Sequence, residues 1–222
     1  MGGRNKTIRF AENAERYNVV QDGKPNFRNL GGKWRSEHFK NENDLVIELG
    51  CGKGEYTIGL GERFPDVNFI GADIKGSRIW VGSSYAVENG LENIAFLRTQ
   101  IEFLEAHFAE NELDEIWITF PDPRPKDRDE KRRLTFPKNL ETYKKLLKKD
   151  GWVKFKTDNT FLFDYTLELF AEGKMKVKNL VHTHDLYESK YMDEHFGLKT
   201  KYEKLFHDKG ENIKYMKFQF VD

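Results

Sequence analysis

Leu45 to Tyr56 reads LVIELGCGKGEY, an apolar run carrying one acid, Glu48, that breaks at once into alternating glycines. Leu45, Val46, Ile47 and Leu49 suit a strand buried on both faces of a parallel sheet. Gly50, Gly52 and Gly54 then supply a tight turn without side chains at alternate positions, so backbone N–H groups can approach a ligand closely. From Glu55 a helix can start. Strand, glycine turn and helix N-terminus together form a site for a small anionic or nucleoside ligand, although a plain tight turn gives the same local pattern.

Spacing sorts the glycine-loop chemistries. Gly54 stands where a P-loop needs the hydroxyl that binds magnesium, and a dinucleotide fingerprint wants Gly-x-Gly-x-x-Gly, whereas the chain has Gly50-x-Gly52-x-Gly54. That spacing, with Glu48 just before it, resembles motif I of class I S-adenosylmethionine-dependent methyltransferases.

Beyond the turn a short helix ends before Pro65, and Val67 to Ala72 reads as a second strand closed by Asp73. An acid at the end of the second strand is placed to accept both hydroxyls of a ribose, and equally to cap a helix. Ser77 begins a helix that Asn89-Gly90 ends, and Ile94 to Leu97 is a third strand. Gln100, just past it, is placed to meet an adenine edge or to be a solvated turn residue. Glu102 to Phe108 reads as helical, and Ile116 to Phe120 as a fourth strand ending in Pro121-Asp122-Pro123. The two prolines fix φ on either side, which holds Asp122 rigidly at the mouth of the sheet. Arg124, Lys126, Arg128, Lys131, Arg132 and Arg133 follow, among Asp127, Asp129 and Glu130. Such a run suits a phosphate-contacting loop or a solvated turn.

Pro137 to Leu147 predicts an amphipathic helix stopped by Asp150-Gly151, with Lys144, Lys145, Lys148 and Lys149 on its wet face. Trp152 to Lys156 reads as a fifth strand, closed by Thr157-Asp158-Asn159, and Phe161 to Phe170 as a further helix. Met175 to Thr183 and Ile213 to Val221 read as the last strands, the second alternating as a half-exposed antiparallel edge should. His182, His184, Asp185 and His195 lack a fourth ligand at a metal-site spacing, so no metal is expected.

Before the glycine strand, residues 1–43 show little apolar periodicity, and the first forty carry nine Lys/Arg against four Asp/Glu. Arg4, Lys6, Arg9 and Arg16 alternate with Phe10, Tyr17, Phe27 and Trp34. Either the segment is a loosely ordered arm anchored on the domain by its aromatics, or it is a basic arm that touches a phosphate backbone. Over all 222 residues Lys+Arg and Asp+Glu both number 37, so net charge points to no partner. One cysteine, Cys51, excludes an internal disulfide and a cysteine zinc site. No stretch approaches the ~18 apolar residues of a membrane span, and no signal-peptide core opens the chain. The expected address is the cytoplasm.

Taken together, Glu48 to Gly54, Pro121-Asp122-Pro123 with its basic tail, Lys156-Thr157-Asp158-Asn159 and Thr200-Lys201-Tyr202-Glu203 resemble the bacterial, single-chain tRNA (guanine-N7-)-methyltransferase family. The four motifs follow the family's order over residues 45–205. The resemblance implies an α/β fold, a doubly wound Rossmann-like sheet that is mostly parallel with one antiparallel C-terminal edge strand. Residues 1–43 would form the basic arm and 44–222 the methyltransferase domain. It implies methyl transfer from S-adenosyl-L-methionine to N7 of guanine 46 in the variable loop of tRNA. Glu48, Asp73, Gln100 and Asp122, with the glycines Gly50, Gly52 and Gly54, would meet the cofactor or reaction centre. Asp122 would be catalytic, as a fixed carboxylate. Lys126, Asp158, Thr200, Tyr202 and Glu203 would contact substrate, and Arg128, Lys131, Arg132 and Arg133 the RNA. Arg124 stands where the family usually has an aromatic, Asp129 where it has His, and Gln100 where Asp or Asn is commoner. Another RNA guanine, a small-molecule acceptor, or a catalytically silent RNA-binding relative remains an alternative. Monomer and homodimer both stay open.

Overall fold

A computed structural model describes residues 2–221, with side chains from Lys6 onward. The glycine strand, β2 (Asp44–Leu49), lies near the middle of an eight-stranded sheet. Every residue of β2 after Asp44 is buried, as a strand flanked on both faces requires. In chain order the strands are β1 (Val19–Val20), β2, β3 (Val67–Asp73), β4 (Ile94–Arg98), β5 (Leu113–Thr119), β6 (Leu147–Thr157), β7 (Val177–Thr183) and β8 (Lys214–Phe220). Their spatial order is β1-β4-β3-β2-β5-β6-β8-β7. β1 through β6 pair in parallel, and β8 runs antiparallel to both β6 and β7.

Helices α1 (Gly2–Glu15), α2 (Glu55–Arg63), α3 (Gly76–Glu88), α4 (Pro137–Leu146), α5 (Thr160–Ala171) and α6 (Lys201–His207) accompany the sheet. Trp34, Leu45, Ile47, Tyr143, Phe155 and Phe163 belong to the largest apolar cluster. Tyr56, Leu60, Phe69, Trp117 and Tyr215 form a second cluster. Because the strand order reverses at β2, with β3 on one side and β5 on the other, the loops after β2 and β5 part and open a crevice at the carboxyl ends of these strands, the usual ligand position in such sheets.

Four local expectations change. The segment expected as an arm is built into the domain from α1 onward: α1 packs on α3, β1 pairs with β4, and a π-helical turn at Trp34–Phe39 sinks Trp34 into the core. The Trp34 indole donates to the His107 carbonyl at 2.8 Å, and Glu112 accepts from the backbone of Gly32 and Trp34. The helix expected over Glu102 to Phe108 is a 3-10 segment at Ile101–Ala106. α4 stops at Leu146, because Leu147 is already extended and pairs with Leu113. Lys148 therefore leaves the helix face and ion-pairs with Asp114 at 2.6 Å. Finally, β8 is the antiparallel strand but lies inside the sheet, and β7 forms the edge. The polar residues of β8 that suggested solvent are paired instead, Lys217 with Glu194 and Gln219 with Asn179.

Candidate functional site

The glycine turn, the carboxyl ends of β3, β4, β5 and β6, and the start of α6 meet around one cleft of about 1060 Å³. Gly50 and Gly52 both have positive φ, +73° and +58°, which only glycine adopts without strain. A Cβ placed on Gly52 would meet nothing within 4 Å, and one on Gly50 would meet only Leu134 at 3.5 Å. Both therefore show bare backbone to the open cleft. Gly54 does something else: a Cβ there would stand 2.5 Å from the Phe96 ring, so it permits close packing and does not line the cleft. The N–H groups of Gly50 and Cys51 both donate to the Ala72 carbonyl, which stitches the turn to β3. Burial pushes the Cys51 thiol up, which keeps it protonated and leaves it a small lining residue.

Asp73 receives two backbone donors, Gly52 at 2.9 Å and Lys75 at 2.7 Å. It thus caps the approach to α3 and still lines the cleft, each oxygen keeping a lone pair for a ligand hydroxyl. Gln100 lines the cleft at the exposed end of β4. These residues fit a nucleoside-bearing ligand, because an open glycine cradle and a two-oxygen acceptor sit side by side at the crevice.

Glu48 is buried beneath the cradle and held by three donors, the Thr57 backbone at 2.9 Å and the hydroxyls of Thr57 and Thr119. Burial raises its pKa, opposed by those hydrogen bonds and by Lys156. Asp122, in contrast, has a 64% exposed side chain that pairs with Arg124 at 3.0 Å. Phe120 and Arg124, either side of the Pro-Asp-Pro stretch, both have φ of +47°, a rare conformation for residues with side chains. Asp158 lines the cleft at the end of β6, and burial lifts its carboxyl above the ordinary range.

Thr200 and Tyr202 line the same cleft with Lys201 and Phe206, and the rings of Tyr202 and Phe206 stack at 6.3 Å. Glu203 does not join them. It is fully buried, with Lys156 Nζ at 2.9 Å and the Tyr187 hydroxyl at 2.6 Å on its carboxylate. Its backbone N–H donates to the Thr200 hydroxyl, and the Thr200 N–H donates back at 3.4 Å, a capping box that starts α6. A carboxylate so occupied cannot read a base directly, which corrects its expected substrate contact. Burial lowers the Lys156 pKa and Glu203 opposes this, so the ammonium is kept by its partner.

The basic run divides. Lys131 and Arg132 line the cleft, whereas Lys126 and Arg128 are exposed beyond it. Arg133 is buried, donates to the Arg124 carbonyl at 3.1 Å and stacks over Phe161 and Tyr165, so it serves the fold and is not free to meet RNA. Sequence reasoning missed Thr57, Thr119 and Lys156. No local signal set Lys156 apart from Lys154 in the same strand, whereas Thr-x-x-Glu was legible as a helix start. No group of residues suited to hold a metal occurs among the described residues. No helix among them is long and apolar enough to cross a membrane.

A family model described as "Putative methyltransferase" matches residues 42–216. A tRNA (guanine-N(7)-)-methyltransferase of Cytophaga hutchinsonii is 47% identical over 218 residues, covering 98% of each chain. The enzyme of that name from Bacteroides fragilis is 45% identical over 222 residues, covering 97% of this chain and 86% of its own. Among solved structures, the 16S rRNA methyltransferase KamB superposes with a TM-score of 0.64 at 13% identity, covering 92% of this chain and 99% of that one. At that identity the likeness is one of fold.

Proposed function

The chain belongs to the tRNA (guanine-N(7)-)-methyltransferase family, and on that premise we propose that it methylates N7 of guanine 46 in the variable loop of tRNA, using S-adenosyl-L-methionine. One observation carries the reading: a single cleft is lined by the glycine cradle and Asp73 and also by Asp122, Asp158, Thr200 and Tyr202. A nucleoside-bearing donor and a purine acceptor can therefore share it. The expected place of the reaction is the cytoplasm.

When bound, S-adenosyl-L-methionine supplies an electrophilic methyl group on a positively charged sulfonium. Gly50, Gly52, Asp73 and Gln100 would hold it, with Glu48 beneath. Guanine N7 carries a lone pair and no proton, so the chain needs no strong base. It needs alignment, and holding two reactants in line removes several kcal/mol, roughly 7 to 11 in favourable cases, from a barrier. Asp122 stabilises the positive charge that moves onto the purine, an electrostatic role suited to a carboxylate held at the mouth of the sheet. Asp158 accepts from the adjacent N1–H and N2 donors of guanine, leaving N7 free. Its burial is consistent with a group that regains a partner on binding. Tyr202 and Phe206 offer an aromatic face to an unstacked base. Lys131 and Arg132 face the RNA backbone.

Incubation of the protein with labelled S-adenosyl-L-methionine and unfractionated tRNA, followed by nucleoside analysis, tests the proposal. The expected product is 7-methylguanosine confined to position 46. Label in another nucleoside, or transfer only to small molecules, overturns it.

A further inference from the structure

Half of the basic run after Pro123 is held by nearby acids. Arg124 pairs with Asp122, Arg132 with Asp129, and Arg133 with Glu130. The other flank of the cleft differs. β3 and β4 lie on one side of β2, and β5 and β6 on the other. On the β3–β4 side Lys53, Lys75 and Arg78 line the cleft and are exposed. Arg98, at the end of β4, and Arg9, on α1, stand by the same loop: Arg98 donates to the Ile74 carbonyl at 3.3 Å and Arg9 to the Ser77 carbonyl at 3.5 Å. None of these five cations has a carboxylate ion-pair partner among the described residues.

Three neighbouring acids are already engaged. Asp73 is buried and takes backbone donors, Glu12 holds Arg16 and the Trp80 indole, and Glu55 accepts from the Lys201 backbone. Glu102 lines the cleft beyond Gln100. The rim is also braced. Arg9 lies 4.6 Å over the Trp80 ring, Arg98 4.6 Å over Phe10, and Asn13 donates to the Gly76 carbonyl at 2.8 Å, so α1 is fastened to α3. Guanidinium groups stacked in this way lose little freedom when they meet an anion.

We infer that Lys53, Lys75 and Arg78, backed by Arg9 and Arg98, form a second phosphate-contacting rim that takes the RNA backbone across the cleft from the 124–133 run. The inference rests on the tRNA reading above and extends it. In a chain of zero net charge, attraction to RNA has to be local. A cation without a carboxylate partner releases counterions from RNA on contact, whereas one already paired must first give up its acid. The rim therefore adds its own share to the salt dependence of binding, alongside Lys126, Arg128 and Lys131 of the run.

Binding of tRNA to wild type and to a Lys75→Gln/Arg78→Gln variant across a salt series tests this, with S-adenosyl-L-methionine affinity measured on the same samples. The slope of log K against log salt should flatten by roughly 0.7 to 0.9 per replaced residue. Cofactor affinity should stay near that of wild type. In wild type, bound tRNA should also protect the Lys53 and Lys75 amines from acetylation, which requires no variant to fold. An unchanged slope with intact cofactor affinity, or lysines equally reactive with tRNA bound, overturns the inference. Loss of cofactor affinity without a change of slope assigns the rim to the cofactor and overturns it too. Failure of wild type to methylate tRNA strikes the underlying function, a distinct outcome.

Discussion

Asp122 carries an exposed carboxylate paired with Arg124, while Glu203 has no exposed surface and both its oxygens are bonded. Asp122→Asn keeps the side chain's shape but removes the charge that offsets a purine cation. Single-turnover transfer at saturating tRNA should slow by roughly 10²-fold or more, the scale of losing one electrostatic stabiliser, with little change in tRNA affinity. An unchanged transfer rate would remove Asp122 from the reaction. Glu203 and Lys156 form a buried ion pair, and removing one partner strands the other charge. Lys156→Met alone should cost about 3 to 5 kcal/mol in urea denaturation. Adding Glu203→Gln should then cost much less than it does alone, because the two losses share one cause. Additive losses would show that the residues do not act as a pair.

At the scale of elements, the first forty residues brace the sheet, and their attachment turns on a neutral imidazole. His107 is buried beneath Phe27, with its ring bonded to Thr99 and its carbonyl to the Trp34 indole. Burial, aided by Arg28, lowers its pKa from 6.5 to about 4, and His38 beside Trp34 is lowered to about 4 as well. The folded form thus binds fewer protons than the unfolded chain below the ordinary histidine value. Stability is fully present above pH 6.5 and is lost as pH falls towards about 4. The urea midpoint should decline over that window, and His107→Gln should weaken the dependence. An equal slope in the variant would place the acid sensitivity elsewhere. α6 is likewise an attached element, fastened by Lys156 below and by the Lys201 N–H to Glu55 at 2.7 Å beside it. Its position over the cleft is therefore tied to α2, which carries the glycine turn.

For the molecule as a whole, ligand binding should appear as stability. S-adenosyl-L-methionine at a hundredfold excess over Kd should stabilise the protein by about 2.7 kcal/mol. Asp73→Ala should reduce that gain by removing an acceptor and the link between Gly52 and Lys75. Equal affinity in the variant, by calorimetry, would exclude Asp73 from the site. What the chain alone determined is local and periodic. Apolar runs set the strands, glycines the turn, prolines and Asn-Gly the helix ends, and acids at strand ends the cleft, because each of these depends on neighbours within a few residues. Tertiary structure decided what no window of sequence contains. Val19 and Val20 are strand residues only because β4 offers an edge, and β8 is interior only because residues 177–183 pair outside it. The Thr-x-Tyr-Glu stretch reads as a substrate motif until Lys156, 47 residues away, claims its glutamate. Likewise Arg133 looked like its neighbours until Phe161 and Tyr165 folded over it. Whether a charged side chain is free or occupied depends on partners brought from distant parts of the chain, and burial strengthens the contacts that such partners make.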